Sequence, residues 1–108
     1  MILIVGAMAS GKREFAQSLG YKMSDMSNFI DDDLPVFYDL QDVENPTEIY
    51  DKLFQKEVVI CNEIGCGISP LKSSERMHRE IIGRICCDLA ASATCVYRVT
   101  FGIGQKIK

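Results

Sequence analysis

Basic runs, paired cysteines and long apolar stretches are missing from this sequence, and each absence removes a class of function. Twelve Lys and Arg stand against 15 Asp and Glu, for a formal net charge of −3. The cations are scattered, without the basic patch that nucleic-acid binding requires, so no nucleic-acid partner is expected. There is one histidine, His78, and the five cysteines (Cys61, Cys66, Cys86, Cys87 and Cys95) contain no C-x-x-C pair. Zinc sites use paired Cys and His ligands at short spacing, which this pattern does not offer. An odd number of cysteines in mostly apolar stretches fits small buried hydrophobes in a reducing compartment. No apolar run approaches the roughly 20 residues of a membrane-spanning helix. The opening MILIVGA lacks the basic flank of a signal peptide. A cytoplasmic protein without membrane contact is therefore expected.

What remains suits one domain spanning residues 1–108. The chain is 47% hydrophobic and 25% charged, close to soluble globular averages and long enough to bury a core without disulfides or a structural metal. The run MILIV has the length and continuous apolar character of a strand buried on both faces, and it stops at Gly6. GKREFAQSL follows as a helix, with Phe15 and Leu19 on one face and Gly20 as its stop. Residues 21–35 show no period and are expected to form a loop. PVFYDL reads as a second strand with Asp39 near its end. Asn45, Pro46 and Glu48 then mark a helix start, and Ile49, Leu53 and Phe54 supply its apolar face. EVVICNE is the clearest strand, delivering Asn62 and Glu63 to a glycine-containing loop. The longest helix is expected from about Ser74 to Ser92, with Met77, Ile81, Ile85 and Leu89 as its buried stripe. TCVYRVT closes the strands and FGIGQKIK is the tail. Alternating strands and helices predict an α/β domain of the P-loop NTPase-like kind, three layers around a mainly parallel sheet. Ligands in such folds gather beyond the carboxyl ends of the strands.

VGAMASGKRE, residues 5–14, places Gly6, Gly11 and Lys12 at the spacing G-x-x-x-x-G-K of a phosphate-binding loop. The glycines permit a tight turn in which the backbone N–H groups of Ala7, Met8, Ala9, Ser10 and Gly11 converge on phosphate oxygens, and the following helix start adds positive potential. Lys12 would reach the terminal phosphates. The next residue is Arg13, where such loops carry the Ser or Thr hydroxyl that ligates Mg²⁺. A guanidinium cannot hold Mg²⁺ but can neutralise phosphate. Mg²⁺ would then rest on carboxylates and substrate phosphates, and Asp39 and Glu63 are the candidates. His78 suits a surface position on the long helix, and Arg76–Glu80 is an ordinary i, i+4 pair.

With these residues in view, the chain resembles the adenosylcobinamide kinase / adenosylcobinamide-phosphate guanylyltransferase family of cobalamin biosynthesis. VVICNEIGCGISP, ERMHREIIGRICCDLAASATCVYRVTFGIGQKIK and MILIVGAMASGK carry the resemblance, with PVFYDL a weaker part of it. The resemblance implies a nucleoside triphosphate, GTP or ATP, used to phosphorylate a hydroxyl of the corrinoid adenosylcobinamide, and usually a homo-oligomer. It implies phosphate binding by Gly6, Gly11 and Lys12, and metal or hydroxyl duties for Asp39 and Glu63. It also implies that the Gly102–Gly104 tail lies near the nucleotide. The family's guanylylated histidine belongs to a middle section for which only residues 21–35 stand here, without a histidine. Guanylyl transfer by that route is therefore expected to be absent. Three readings stay open: a minimal kinase, a non-catalytic nucleotide-binding companion protein descended from the family, and a folded remnant that binds nothing tightly.

Overall fold

The computed structural model describes residues 1–7, 9–22, 26–27, 36–38, 46–62 and 73–108. Its strands are β1 (Ile2–Gly6), β2 (Met26–Ser27), β3 (Val36–Tyr38), β4 (Val58–Asn62), β5 (Cys95–Thr100) and β6 (Ile103–Lys106). They form one sheet in the order β2-β3-β4-β1-β5-β6. Among the described residues every pairing is parallel except β5 with β6. The mainly parallel α/β architecture expected from the alternating pattern is thus present.

Helices α1 (Lys12–Ser18) and α3 (Ser73–Ser92) pack on opposite faces of the sheet, with the short α2 (Tyr50–Leu53) on the α3 side. Alternation along the strands sorts the core. Leu3, Val59, Cys61 and Val96 point to α2 and α3, where they meet Leu53, Ile82, Ile85, Leu89 and Ala93. Ile4, Val58, Ile60 and Val99 point the other way, to Ala16 of α1. A central strand buried on both faces must be apolar at every position, and β4 is buried at all five.

Helix α1 ends as its sequence dictates. Gly20 takes φ +105°; its N–H donates to the Gln17 carbonyl at 2.9 Å and that of Tyr21 to the Ala16 carbonyl at 3.3 Å. This pair of bonds is a Schellman closure. Because the helix stops at Ser18, Leu19 leaves its apolar face and is exposed, while Ala16 takes the contact with the sheet. The expected pairing of Leu19 with Phe15 is corrected accordingly. The second helix begins as a 3-10 turn over Pro46–Ile49 before α2, and Leu53 is buried with Ile49 and Phe54 packed beside it. Tyr50 donates to Asp88 Oδ2 at 2.9 Å, which ties α2 to α3 and raises the tyrosine's pKa. Asn45 lies outside the described residues.

The stripe of α3 also needs correction. It runs Ile82, Ile85, Leu89, and Met77 is 64% exposed. At about 100° per residue, a strict four-residue repeat drifts about 40° per step, so Met77 lies about 120° around the helix from Leu89. The 3-then-4 spacing from Ile82 to Leu89 drifts only about 20°. Glu80 on the outer surface pairs with Arg84 at 2.9 Å.

Two strands arise where none was expected. Met26–Ser27, inside the expected loop, adds a short edge strand beside β3. The tail turns back as β6 through a two-residue loop, Phe101 and Gly102, with Thr100 opposite Ile103. Both loop residues have positive φ, 50° and 75°, as a type I′ hairpin turn requires. Lys108 then closes α3 by donating to the carbonyls of Ala90 and Ala91 at 2.9 and 2.8 Å. Of the cysteines, Cys61 is buried, Cys86 and Cys95 are half-buried and Cys87 is exposed; Cys66 lies outside the described residues. Cys61 and Cys86 stand 3.6 Å apart, sulfur to sulfur, and this contact lowers the Cys86 pKa against the opposing effect of burial.

Phe101 places a bulky residue in the left-handed region and leaves its side chain 92% exposed. Left-handed backbone costs a non-glycine residue about 1–2 kcal/mol, and glycine returns about 0.5–1 kcal/mol of that through its looser unfolded chain. Phe101→Gly is therefore expected to stabilise the protein by about 0.5–1 kcal/mol, read as a rise in thermal midpoint. A fall would mean that the ring contributes packing.

Candidate functional site

The ends of three adjacent strands define the site. Gly6, the last residue of β1, stands opposite Asn62 of β4 on one side and Val99 of β5 on the other. Beyond it the chain turns sharply, with the Ser10 N–H donating to the Ala7 carbonyl at 3.2 Å. A Cβ on Gly6 would lie 2.6 Å from Ser10 Oγ and 2.6 Å from the Val99 carbonyl oxygen. Only glycine fits where loop and strand approach so closely.

Ala9 and Gly11 both have positive φ, 59° and 92°. Left-handed residues interleaved with ordinary ones turn successive N–H groups toward one side and make an anion-binding concavity. Ala9 accepts a conformation that costs an L-residue about 1–2 kcal/mol, a strain of the kind that collects at binding loops. Gly11 is held from outside as well. Gly102, in the β5–β6 turn, donates its N–H to the Ser10 carbonyl at 2.7 Å, and a Cβ on Gly11 would stand 2.9 Å from the Gly102 Cα. Phe15 of α1 packs its ring against Gly104 and tilts on Tyr97, ring centroids 5.0 Å apart. Hairpin, loop and helix α1 are thus locked together.

Lys12 opens α1, is 4% exposed, and donates from Nζ to the Ala7 carbonyl at 2.7 Å. A buried ammonium is costly unless hydrogen-bonded; here the loop's own carbonyl holds the positive charge across the turn. Residues 9–14 line a hollow of about 140 Å³. Ser10 Oγ is buried with no hydrogen-bond partner among the described residues, an orphan that a ligand oxygen would satisfy. Arg13 is half-buried on the same hollow.

The structure thus brings Gly6, Ala7, Ala9, Ser10, Gly11, Lys12 and Arg13 into one loop, with buried Asn62 at its base. Met8, Asp39 and Glu63 lie outside the described residues. Gly102 lies against the loop at Ser10 and Gly11 through a hairpin that was not anticipated. Its signal is the dipeptide Phe101-Gly102 between two stretches of strand length.

A sequence model of the cobinamide kinase / cobinamide phosphate guanyltransferase family matches residues 38–107. The chain belongs to this family. The match runs from Tyr38, the last residue of β3, through β6 and begins beyond the glycine loop, so the loop stands on its own geometry. The bifunctional adenosylcobalamin biosynthesis protein CobU of Escherichia coli (strain K12) is 47% identical over 53 residues, 49% of this chain and 29% of that protein. The protein of the same name from Salmonella typhimurium (strain LT2) gives the same identity over the same length. The aligned segment spans 29%, less than a third, of each of these relatives.

Proposed function

We propose that this chain binds a nucleoside triphosphate, GTP or ATP, at the loop of residues 6–13 and phosphorylates adenosylcobinamide, without histidine-dependent guanylyl transfer. The observation that carries this reading is the loop itself. Two left-handed residues, a glycine with no room for a Cβ and a buried lysine bonded across the turn form a cradle in which Lys12 and Arg13 outnumber the one carboxylate, Glu14. Phosphoryl transfer asks a protein chiefly for positioning and neutralisation of phosphate charge, and Lys12 and Arg13 supply the cations. Asp39 and Glu63 would hold Mg²⁺ together with the substrate phosphates, and the metal would add charge neutralisation there. On this reading the chain acts in the cytoplasm as a homo-oligomer.

Arg13 supports a second reading, a nucleotide-binding companion protein that does not catalyse, because the guanidinium stands where the metal-ligating hydroxyl is usual. Calorimetric titration with GTP and ATP, each with and without Mg²⁺, separates the two. Micromolar binding strengthened about tenfold or more by Mg²⁺, with phosphate transfer to cobinamide, is the expected result for the kinase. Equal binding with and without Mg²⁺ and no transfer would establish the companion. No binding of either nucleotide would overturn both.

A further inference from the structure

We propose that Phe101 is the stacking platform for the nucleobase of the triphosphate held by the glycine loop, an inference that rests on the phosphate-binding reading of residues 6–13. The hollow measures about 140 Å³, below the roughly 300 Å³ of sites that enclose a small molecule. It has room for phosphate groups only, so ribose and base must leave it along the protein surface. On one side that surface is the β5–β6 turn, whose Gly102 bonds the loop at Ser10 and touches Gly11. Phe101 is one Cα step of about 3.8 Å from Gly102 and presents its ring to solvent at 92% exposure.

The turn makes the ring informative. Positions with positive φ in a type I′ turn favour Asn, Asp and Gly, and Phe101 sits at one of them with φ 50°. Its ring contributes almost nothing to the core and its backbone is strained. Such strain persists where it serves binding. A rigid aromatic face beside a phosphate cradle suits a nucleobase, since every base offers a π-face and stacking requires no hydrogen-bond code.

The test compares GTP, ATP and inorganic tripolyphosphate, which has the phosphates and no base, on the 108-residue chain at fixed Mg²⁺. Wild-type protein should bind the nucleotides more tightly than tripolyphosphate. Phe101→Ala should weaken nucleotide binding about tenfold, as loss of one stacked base does, with tripolyphosphate affinity unchanged. Phe101→Tyr should restore it. The chain has no tryptophan, so Phe101→Trp gives a single reporter whose fluorescence nucleotides should quench and tripolyphosphate should not. Unchanged nucleotide affinity in Phe101→Ala overturns the proposal and leaves phosphate binding standing, as does a wild type that binds tripolyphosphate as tightly as GTP and ATP. Equal weakening for all three ligands overturns it in favour of a role in shaping the loop. A wild type that binds none of the three fails at the phosphate loop itself, and the platform falls with it.

Discussion

Lys12→Met is expected to lower affinity for GTP, ATP and inorganic tripolyphosphate alike by about 100-fold or more. Methionine matches the length and much of the volume of the lysine stem, so the buried site stays filled. What disappears is the ammonium and its bond to the Ala7 carbonyl at 2.7 Å. Charge-assisted hydrogen bonds contribute about 1.5–3 kcal/mol each, so losing two contacts to phosphate oxygens corresponds to about 100-fold or more. The loss falls on the phosphates and therefore includes the ligand that has no base. Phe101→Ala, by contrast, should spare that ligand. Lys12→Met protein titrated calorimetrically with tripolyphosphate decides the matter: binding within a few-fold of wild type would remove the lysine from the phosphate site. Phosphate transfer to cobinamide, where wild-type protein shows it, should fall at least as far, because charge on the transferring group grows toward the transition state.

The loop was legible because its chemistry is local. Gly6, Gly11 and Lys12 must stand at fixed spacing for one turn to close, and the apolar run before them and the helix after them follow from residues nearby. The hairpin was less legible because its evidence is mostly tertiary. Residues 103–106 have strand character only through pairing with β5, and the exposed residue between, Phe101, is not one that turn chemistry favours. Asn62 was placed correctly at a strand end, since β4 is apolar at every earlier position. Asp39 and Glu63 were inferred from the same strand-end logic, and their part in the site belongs with the proposal rather than with the geometry. The fold class required only the order of elements, which periodicity supplied. The faces of the helices depended on packing and were partly misread.

Helix α3 shows what that misreading amounts to in energy. Leu89→Ala should destabilise the protein by about 2–5 kcal/mol, whereas Met77→Ala should change stability by no more than about 0.5 kcal/mol. Both residues belong to the same four-residue repeat, and the sequence alone ranks them as equals. Leu89 is fully buried against the sheet face that carries Leu3, Val59, Cys61 and Val96, while Met77 is 64% exposed. Removing the leucine forfeits its transfer free energy and leaves a cavity that a strand-backed core can close only in part. At about 4–8 °C per kcal/mol for a domain of this size, even the low end of that range shifts the midpoint of thermal unfolding by about 8 °C or more. Equal shifts for the two variants would mean that Met77 is covered in solution, by a partner or by another copy of the chain. The consequence reaches the site through β4. Leu89 and Ile85 belong to the same core cluster as Val59 and Cys61 of β4, the strand whose last residue, Asn62, stands beside Gly6. Leu89→Ala should therefore also weaken nucleotide binding at temperatures where the variant is still folded, and Met77→Ala should not.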